Sequence, residues 1–413
     1  MQPVKEINLK TGDVLYEQGD SNDCAFVVAS GEVIMYFTED GTRHDCERRG
    51  PGSVLGSLSV LTKQPRYVSA QAVEDTIVFR ISAEHILNDF DRVGPLLRTC
   101  VETSISFNAR LKTAKTRAQV PAELIPSKVV PKTSAAVDHA DAIIERYRFE
   151  IDILKGIEAG QFFMVYQPIV TMDTGATIGF EALMRWQHPE RGFVPPDHFI
   201  PVAEDLGVIG ALTDIALEQT CDTLHQLQQA IATDAPLFAS INVSGHDIAR
   251  VGFPEVLAHT LDRHHLWPHQ VKLEVTETAI LPNNPTVIEN LAALQSLGCG
   301  ISIDDFGTGY SNLSHLKTLP LSALKIDRAF AGDAHCNEVS GSIVAMLVGL
   351  GDSLGVDIVA EGVETAEDVK VLSGLGCTYA QGYYYHRPAP KEELMTLLST
   401  QLKPSAASLS KSA

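Results

Sequence analysis

Two adjacent carboxylates, Asp304 and Asp305, stand inside the segment GISIDDFGTGYSN, residues 300–312. Ile301 and Ile303 alternate with Ser302, the period of a strand, and Gly307 and Gly309 build the turn that follows. Neighbouring acids at a strand end repel each other unless something positive lies between them. Hard divalent cations, which take oxygen ligands, are the usual remedy. A solvated turn would use the same residues, because Asp ahead of Gly is common turn chemistry. Other apolar, β-branched runs weigh on the choice. They carry Glu181 in IGFEALMRW, Asn242 in ASINVS, and Glu274 with Glu277 in KLEVTE. Lys325 and Asp327 follow in LKID, Glu361 and Glu364 in VAEGVE, and Gln381 in AQGYYY. A lone charge in such a run is costly to bury. Carboxylates, an amide and a lysine that converge are the composition of a metal site.

Convergence needs a scaffold. Residues 140–400 alternate strand with helix. The expected strands are Phe163–Ile169, Ile178–Met184, Leu237–Val243, Val271–Val275, Gly300–Ile303, Ala323–Ile326, Asp357–Val359 and Tyr379–Tyr384. Helical stretches such as Val202–Leu227, Ile343–Leu354 and Ala366–Leu375 lie between them. Eight strands over about 260 residues fit a (β/α)8 barrel, whose strand ends at one face carry the chemistry. Ahead of it, residues 1 to about 90 read as short strands punctuated by Gly12, Gly19 and Gly31, the pattern of a small all-β jelly roll. Residues 84–118 read as helical. There Leu97, Val101, Ser104, Asn108 and Leu111 recur at four-three spacing, either a coiled-coil seam or a face packed on its own barrel. Pro121, Pro126 and Pro131 mark a linker. The division is therefore a module at 1–117, a linker at 118–139, the large domain at 140–400 and a flexible tail at 401–413.

The chain of 413 residues carries 52 acidic against 32 basic side chains, which argues against a general binder of DNA, RNA or anionic membrane. Seven scattered cysteines form no CxxC pair and read as reduced thiols of a cytoplasmic protein. The start, MQPVKEINLKTGD, has no apolar leader segment. The longest apolar run, Ile343–Leu350, is far below the ~20 residues of a membrane span and reads as a buried helix.

Across its full length the large domain resembles the EAL family of cyclic di-GMP phosphodiesterases. The motifs occur in order: YQPIV, Glu181-Ala182-Leu183 with Arg185, FIPVAED, NVS, EVTE, DDFGTGYS, KID, AEGVET and QGY. The resemblance implies an irregular barrel whose first strand runs antiparallel. It also implies two Mg²⁺ or Mn²⁺ ions. Glu181, Asn242, Glu274 and Asp304 would hold the first, and Asp304 would bridge to a second completed by Asp305 and Glu361. Lys325 would act on the attacking water and Gln381 would orient water or phosphate. Gln167, Arg185 and Asp327 would hold the dinucleotide, and Glu277 would anchor the DDFGTG loop. Two metals ~3.5–4 Å apart suit phosphodiester hydrolysis, since they lower the pKa of water and clamp both the attacking and the leaving oxygen. The family implies a homodimer. A receptor that binds cyclic di-GMP without cutting it is the rival reading; it would be expected to lack ligands, and none is missing here.

Residues 50–71, GPGSVLGSLSVLTKQPRYVSAQ, resemble the phosphate-binding cassette of cyclic-nucleotide-binding domains. Gly56, Leu58, Ser59 and Arg66 would hold a cyclic phosphate, as backbone nests and arginines do. Ser57 stands where that family usually has a ribose-binding glutamate, and Tyr67 where smaller residues are common. The implied effector is a cyclic mononucleotide, cAMP ahead of cGMP, acting on the hydrolysis. A purely structural β-roll is the alternative.

Overall fold

The computed structural model describes residues 3–39, 41–91, 134–230, 236–276, 284–307 and 319–401. The 97–111 seam and Glu277 lie outside them. The chain divides into two compact units, 1–155 and 156–413.

The first unit is built of two four-stranded antiparallel sheets. Strands β1 (Val4–Leu9), β8 (Thr76–Ser82), β3 (Cys24–Ser30) and β6 (Val54–Leu55) form one; β2 (Val14–Tyr16), β7 (Ser69–Ala72), β4 (Val33–Glu39) and β5 (Thr42–Arg49) form the other. Tyr16, Phe26, Val28, Val33, Leu55, Ala70 and Val78 make the core. The β3–β4 turn requires Gly31. Its φ is +79°, and a Cβ there would sit 2.5 Å from Thr76 Oγ1. Helix Ala83–Asp91 follows β8, and the long helix Ser134–Glu158 begins inside the segment read as linker.

The second unit is a closed barrel. In order around it stand β10 (Thr177–His188), β12 (Phe238–Asn242), β13 (Val271–Thr276), β14 (Gly300–Phe306), β15 (Ala323–Ile326), β16 (Asp357–Ala360), β17 (Tyr379–Ala380) and β9 (Phe162–Thr171). β9 pairs antiparallel with both β10 and β17, while the other neighbours are parallel. The eight strands and the reversed first strand agree with expectation. Three details do not. β10 continues to His188 and returns through a short strand, β11 (Gly192–Val194). The stretch read as one helix at 202–227 is two, Pro196–Asp205 and Ile209–Ala230, parted at Gly207 with φ +69°. The last strand stops at Ala380, because Gly382 turns against Val363 and Val363 N donates to Gln381 O at 3.1 Å.

Ile241, Leu273, Ile301, Ile303, Leu324, Ile326 and Ile358 fill the barrel and its helical jacket. Their β-branched and aliphatic side chains are buried on both faces of parallel strands, which explains the near-continuous apolar runs. Helix Glu338–Leu354 buries Val344, Leu347 and Val348 but leaves Val339 and Met346 about two-thirds exposed, so only one face of the expected buried helix is covered.

Candidate active site

The parallel register places the charged residues together. Ala182 pairs with Ile241, Asn242 with Glu274, Thr276 with Asp304, and Lys325 with Val359. Glu181, Asn242, Glu274, Asp304 and Lys325 therefore rise from neighbouring strands, and Glu361 and Gln381 follow the ends of β16 and β17. Gln167 joins them because the antiparallel β9 sets it opposite Glu181.

Lys325 lies at the centre. Its Nζ is 2.6 Å from Glu274 Oε2, 2.6 Å from Glu361 Oε1, 3.1 Å from Asp304 Oδ1 and 3.3 Å from Glu181 Oε2. Lys325 and Glu274 are each only 2 % exposed. Asn242 Nδ2 donates to Glu181 Oε1 at 2.7 Å. Gln381 Nε2 donates to Glu181 Oε2 at 2.6 Å and to Gln167 Oε1 at 2.8 Å. Gln167 in turn donates to the His386 carbonyl at 3.1 Å.

Asp304 and Asp305 are consecutive in a strand, which would normally send their side chains to opposite faces. Here the β14–β15 register shifts between Ile303 and Phe306, and Asp305 adopts φ +52°. This bulge lets oxygens of Asp304, Asp305 and Glu361 come within 4.8 Å of one another. Nothing in the sequence marks that bulge. Asp327 gives one oxygen to the Ala329 N–H at 2.8 Å, capping the short helix Arg328–Ala331, and also hydrogen-bonds to Asp305. Glu364 is turned toward Arg328, 4.0 Å away. Asp247 was not foreseen. Buried to 1 % exposure, it accepts from Ser244 N at 2.9 Å, Ser244 Oγ at 2.7 Å and Thr213 Oγ1 at 2.8 Å, fixing the turn behind Asn242. Its only sequence trace is a serine followed by an aspartate three residues on, a capping pattern too common to stand out.

The titration of the cluster reflects its crowding. Burial raises the Glu361 carboxyl to about 8; Lys325 opposes this, and Asp304 and Glu181 add to it. Burial, then Asp304 and Asp327, raise Asp305 to about 6. Burial holds Glu274 well above the usual range against the pull of Lys325. Burial would also raise Glu181, but Lys325 and the amides of Gln381 and Asn242 outweigh it and bring its pKa down. Burial alone would lower Lys325; the four carboxylates around it hold it well above its ordinary value. With every carboxyl ionised, Glu181, Glu274, Asp304, Asp305 and Glu361 carry −5 and Lys325 returns +1. The remaining −4 equals the charge that two divalent cations would neutralise. The donors are all hard oxygens, with Asn242 Oδ1 left available by its amide's orientation. The residues fit a divalent metal.

In the first unit, Gly56 (φ +75°) precedes a helix over Ser57–Thr62 that contains Leu58 and Ser59. Arg66 is buried and turned inward. It donates to Gly56 O at 3.0 Å and to Cys24 O at 2.5 Å, and its guanidinium stands 4.6 Å from the Tyr16 ring centroid. Its partners there are neutral, and among the described residues the buried cation has no counter-anion. The hydroxyls of Tyr67 and Thr62 lie 3.3 Å apart.

Residues 151–388 match the EAL domain family, and residues 6–92 match the cyclic nucleotide-binding domain. The chain is 36% identical over 248 residues to the cyclic di-GMP phosphodiesterase RocR of Pseudomonas aeruginosa, covering 60% of this chain and 62% of RocR. An uncharacterized signaling protein of Caulobacter vibrioides is 39% identical over 266 residues, 64% of this chain and 32% of that one. The chain thus spans less than two-thirds of the length of these curated relatives. Among solved structures, EAL enzyme Bd1971 in its cAMP-bound form superposes with a TM-score of 0.62 at 26% identity, covering 95% of this chain and all of that one.

Proposed function

The chain belongs to the EAL domain family, and from that membership we propose that it hydrolyses cyclic di-GMP to linear pGpG with two divalent ions, Mg²⁺ or Mn²⁺. The observation that carries the reading is the oxygen-donor ring around Lys325. Glu181, Asn242, Glu274 and Asp304 would hold one ion; Asp304, Asp305 and Glu361 would hold the other. Such ions supply positive charge that makes water acidic enough to ionise near neutral pH and that offsets charge building on phosphorus. The protein's own groups do the rest. Lys325, cationic and buried, donates a hydrogen bond to the nucleophilic oxygen and adds local charge where it is least screened. Gln381, tied to Glu181 and Gln167, orients the phosphate. Gln167, Arg185 and Asp327 would position the dinucleotide, and Glu277, outside the described residues, would anchor the DDFGTG loop. The test is incubation of purified protein with cyclic di-GMP and Mg²⁺, following the linear product. Binding without product would favour the silent receptor instead.

For the N-terminal module we propose a sensor of a cyclic mononucleotide, cAMP first, whose occupancy tunes hydrolysis. Arg66, a buried guanidinium with neutral partners, supports it, as does the cAMP bound to the relative Bd1971. We also propose a homodimer through the open face of helix Glu338–Leu354. It presents Val339 and Met346 to water, with Ser342, Ala345 and Gly349 also exposed. A cytoplasmic location is part of the same reading. Among the described residues no helix is long and apolar enough to cross a membrane.

A further inference from the structure

We infer that His335 is a positioning residue for the second metal site: through the buried carboxylate of Asp368 it clamps the turn that carries Glu361. The inference rests on the two-ion reading above. Glu361 follows β16, and the residues after it are anchored one by one. Glu361 N donates to Ile326 O at 3.1 Å. Gly362, at φ +66°, lies so close to the neighbouring segment that a Cβ there would fall 2.4 Å from Arg328 Cβ. Val363 is buried, and its N–H donates to Gln381 O. Glu364 N and Thr365 N both donate to Asp368 Oδ2, at 3.1 Å and 2.8 Å.

Asp368 is itself only 2 % exposed. It is the third residue of helix Ala366–Gly374 and closes a capping box with Thr365, whose Oγ1 accepts from Asp368 N at 3.1 Å. The two backbone bonds use Oδ2 alone. Oδ1 accepts no hydrogen bond among the described residues, and the group that faces it is His335 Nδ1, 2.8 Å away. A buried carboxylate oxygen with no donor or cation beside it is costly. His335 comes from a different element, the turn between helix Arg328–Ala331 and helix Glu338–Leu354. Its Nδ1 also lies 3.1 Å from Gly332 O. Both neighbours are acceptors, so Nδ1 carries the ring hydrogen.

Two segments thus leave β15 and β16 side by side and are fastened at both ends. Ile326 and Glu361 join them at the strand ends, and His335 and Asp368 join them farther out. A similar device stands behind Asn242. There Asp247 is the third residue of a capping box with Ser244, and Thr213, from another helix, completes it. Two buried aspartates, each held from outside its own helix, therefore back two of the proposed ligands. Groups one step behind a ligand fix its orientation, and losing one costs about 10- to 100-fold in metal affinity or activity. His335 touches neither ion nor substrate. Its loss should fall on metal affinity and spare the rate once metal is saturating.

The test is Mn²⁺ binding to metal-free protein, read from the electron paramagnetic resonance signal of the free ion. Hydrolysis of cyclic di-GMP as a function of Mn²⁺ is measured alongside. Wild type, His335→Ala and His335→Asn are compared, and the wild type is expected to bind two ions. His335→Ala should weaken one of them about tenfold and leave the other within about twofold, with kcat at saturating Mn²⁺ within about twofold of wild type. His335→Asn sets an N–H donor near the place of Nδ1–H and should return the affinity to within about threefold of wild type. Thermal melting of the metal-free proteins separates a local effect from a loss of the fold. Unchanged affinity in His335→Ala, with two ions bound to the wild type, overturns the clamp and leaves the two-ion reading standing. Equal weakening of both ions with a lowered Tm also overturns it, since His335 would then serve the fold alone. So does an asparagine variant as weak as the alanine one. A wild type that binds no Mn²⁺ overturns the two-ion reading and the clamp with it.

Discussion

At the scale of single residues, the site is a balance between one buried ammonium and the acids around it. Removing an acid would take away a proposed metal ligand and leave Lys325 less well paired. Glu181→Ala or Asp304→Asn is expected to lower the hydrolysis rate at least ~10²-fold, the size of effect seen when preorganised charge is lost. Product formation with the same metal and substrate checks this, and full activity in either variant would exclude the two-metal assignment. The acids also hold protons that a metal must displace. Without metal, Glu361 titrates near about 8 and Asp305 near about 6. At pH 7 Glu361 is mostly protonated, so metal binding should release a proton there and less at pH 9. Metal affinity should weaken as pH falls from 8 toward 6. Calorimetry at pH 7 in buffers of different protonation enthalpy measures the released proton directly. The same shifts set a sign for stability. A carboxyl with a raised folded pKa binds protons more tightly in the native state, so metal-free stability falls as pH rises from the ordinary carboxylate range, about 4, up to about 6 for Asp305 and about 8 for Glu361.

At the scale of elements, the site depends on short, tightly seated turns beyond the strand ends. The turn after β17 carries Gln381 and is seated against Val363 by a glycine. A Gly382→Ala variant would place a methyl group on backbone atoms that no side-chain rotation can move. We expect Tm to fall by several degrees and hydrolysis by about tenfold or more, because Gln381 shifts away from Glu181. A variant with wild-type melting and wild-type rate would show that the turn is more compliant than its packing implies. The bulge at Asp305 belongs to the same class of device, since a strained φ turns two adjacent acids toward one centre.

At the scale of the whole molecule, two surfaces bear on regulation. The open face of helix Glu338–Leu354 predicts a dimer that a charge would break. Met346→Glu should shift light scattering at micromolar concentration toward the monomer, and a monomeric wild type of full activity would argue against the pairing. Within the N-terminal module, Arg66→Ala should abolish the heat of cAMP binding in calorimetry. It should also cancel any effect of cAMP on hydrolysis. Because Arg66 is buried among Gly56, Cys24 and Tyr16, circular dichroism must show that the variant still folds. Absence of heat with either cyclic mononucleotide in the wild type would leave this unit a structural β-roll.

The barrel, its eight strands and the oxygen-donor residues they carry were legible in the sequence alone. Alternation and length are local properties, and a charged residue inside an apolar strand is visible without coordinates. The order of dispersed motifs did the rest, setting Glu181, Asn242, Glu274, Asp304 and Lys325 on neighbouring strands and Gln381 just after the last one. Tertiary structure alone decided how those side chains meet. That Lys325 is shared among four carboxylates follows from barrel closure, which brings β10 and β15 into reach across the interior. The co-facing of Asp304 and Asp305 follows from one residue at φ +52°, a backbone state that no local pattern announces. The role of Asp247 behind Asn242, the inward turn of Arg66 and the meeting of His335 with Asp368 are contacts between residues whose types are common at any surface. Their meaning comes from distance and burial, which only the folded chain supplies.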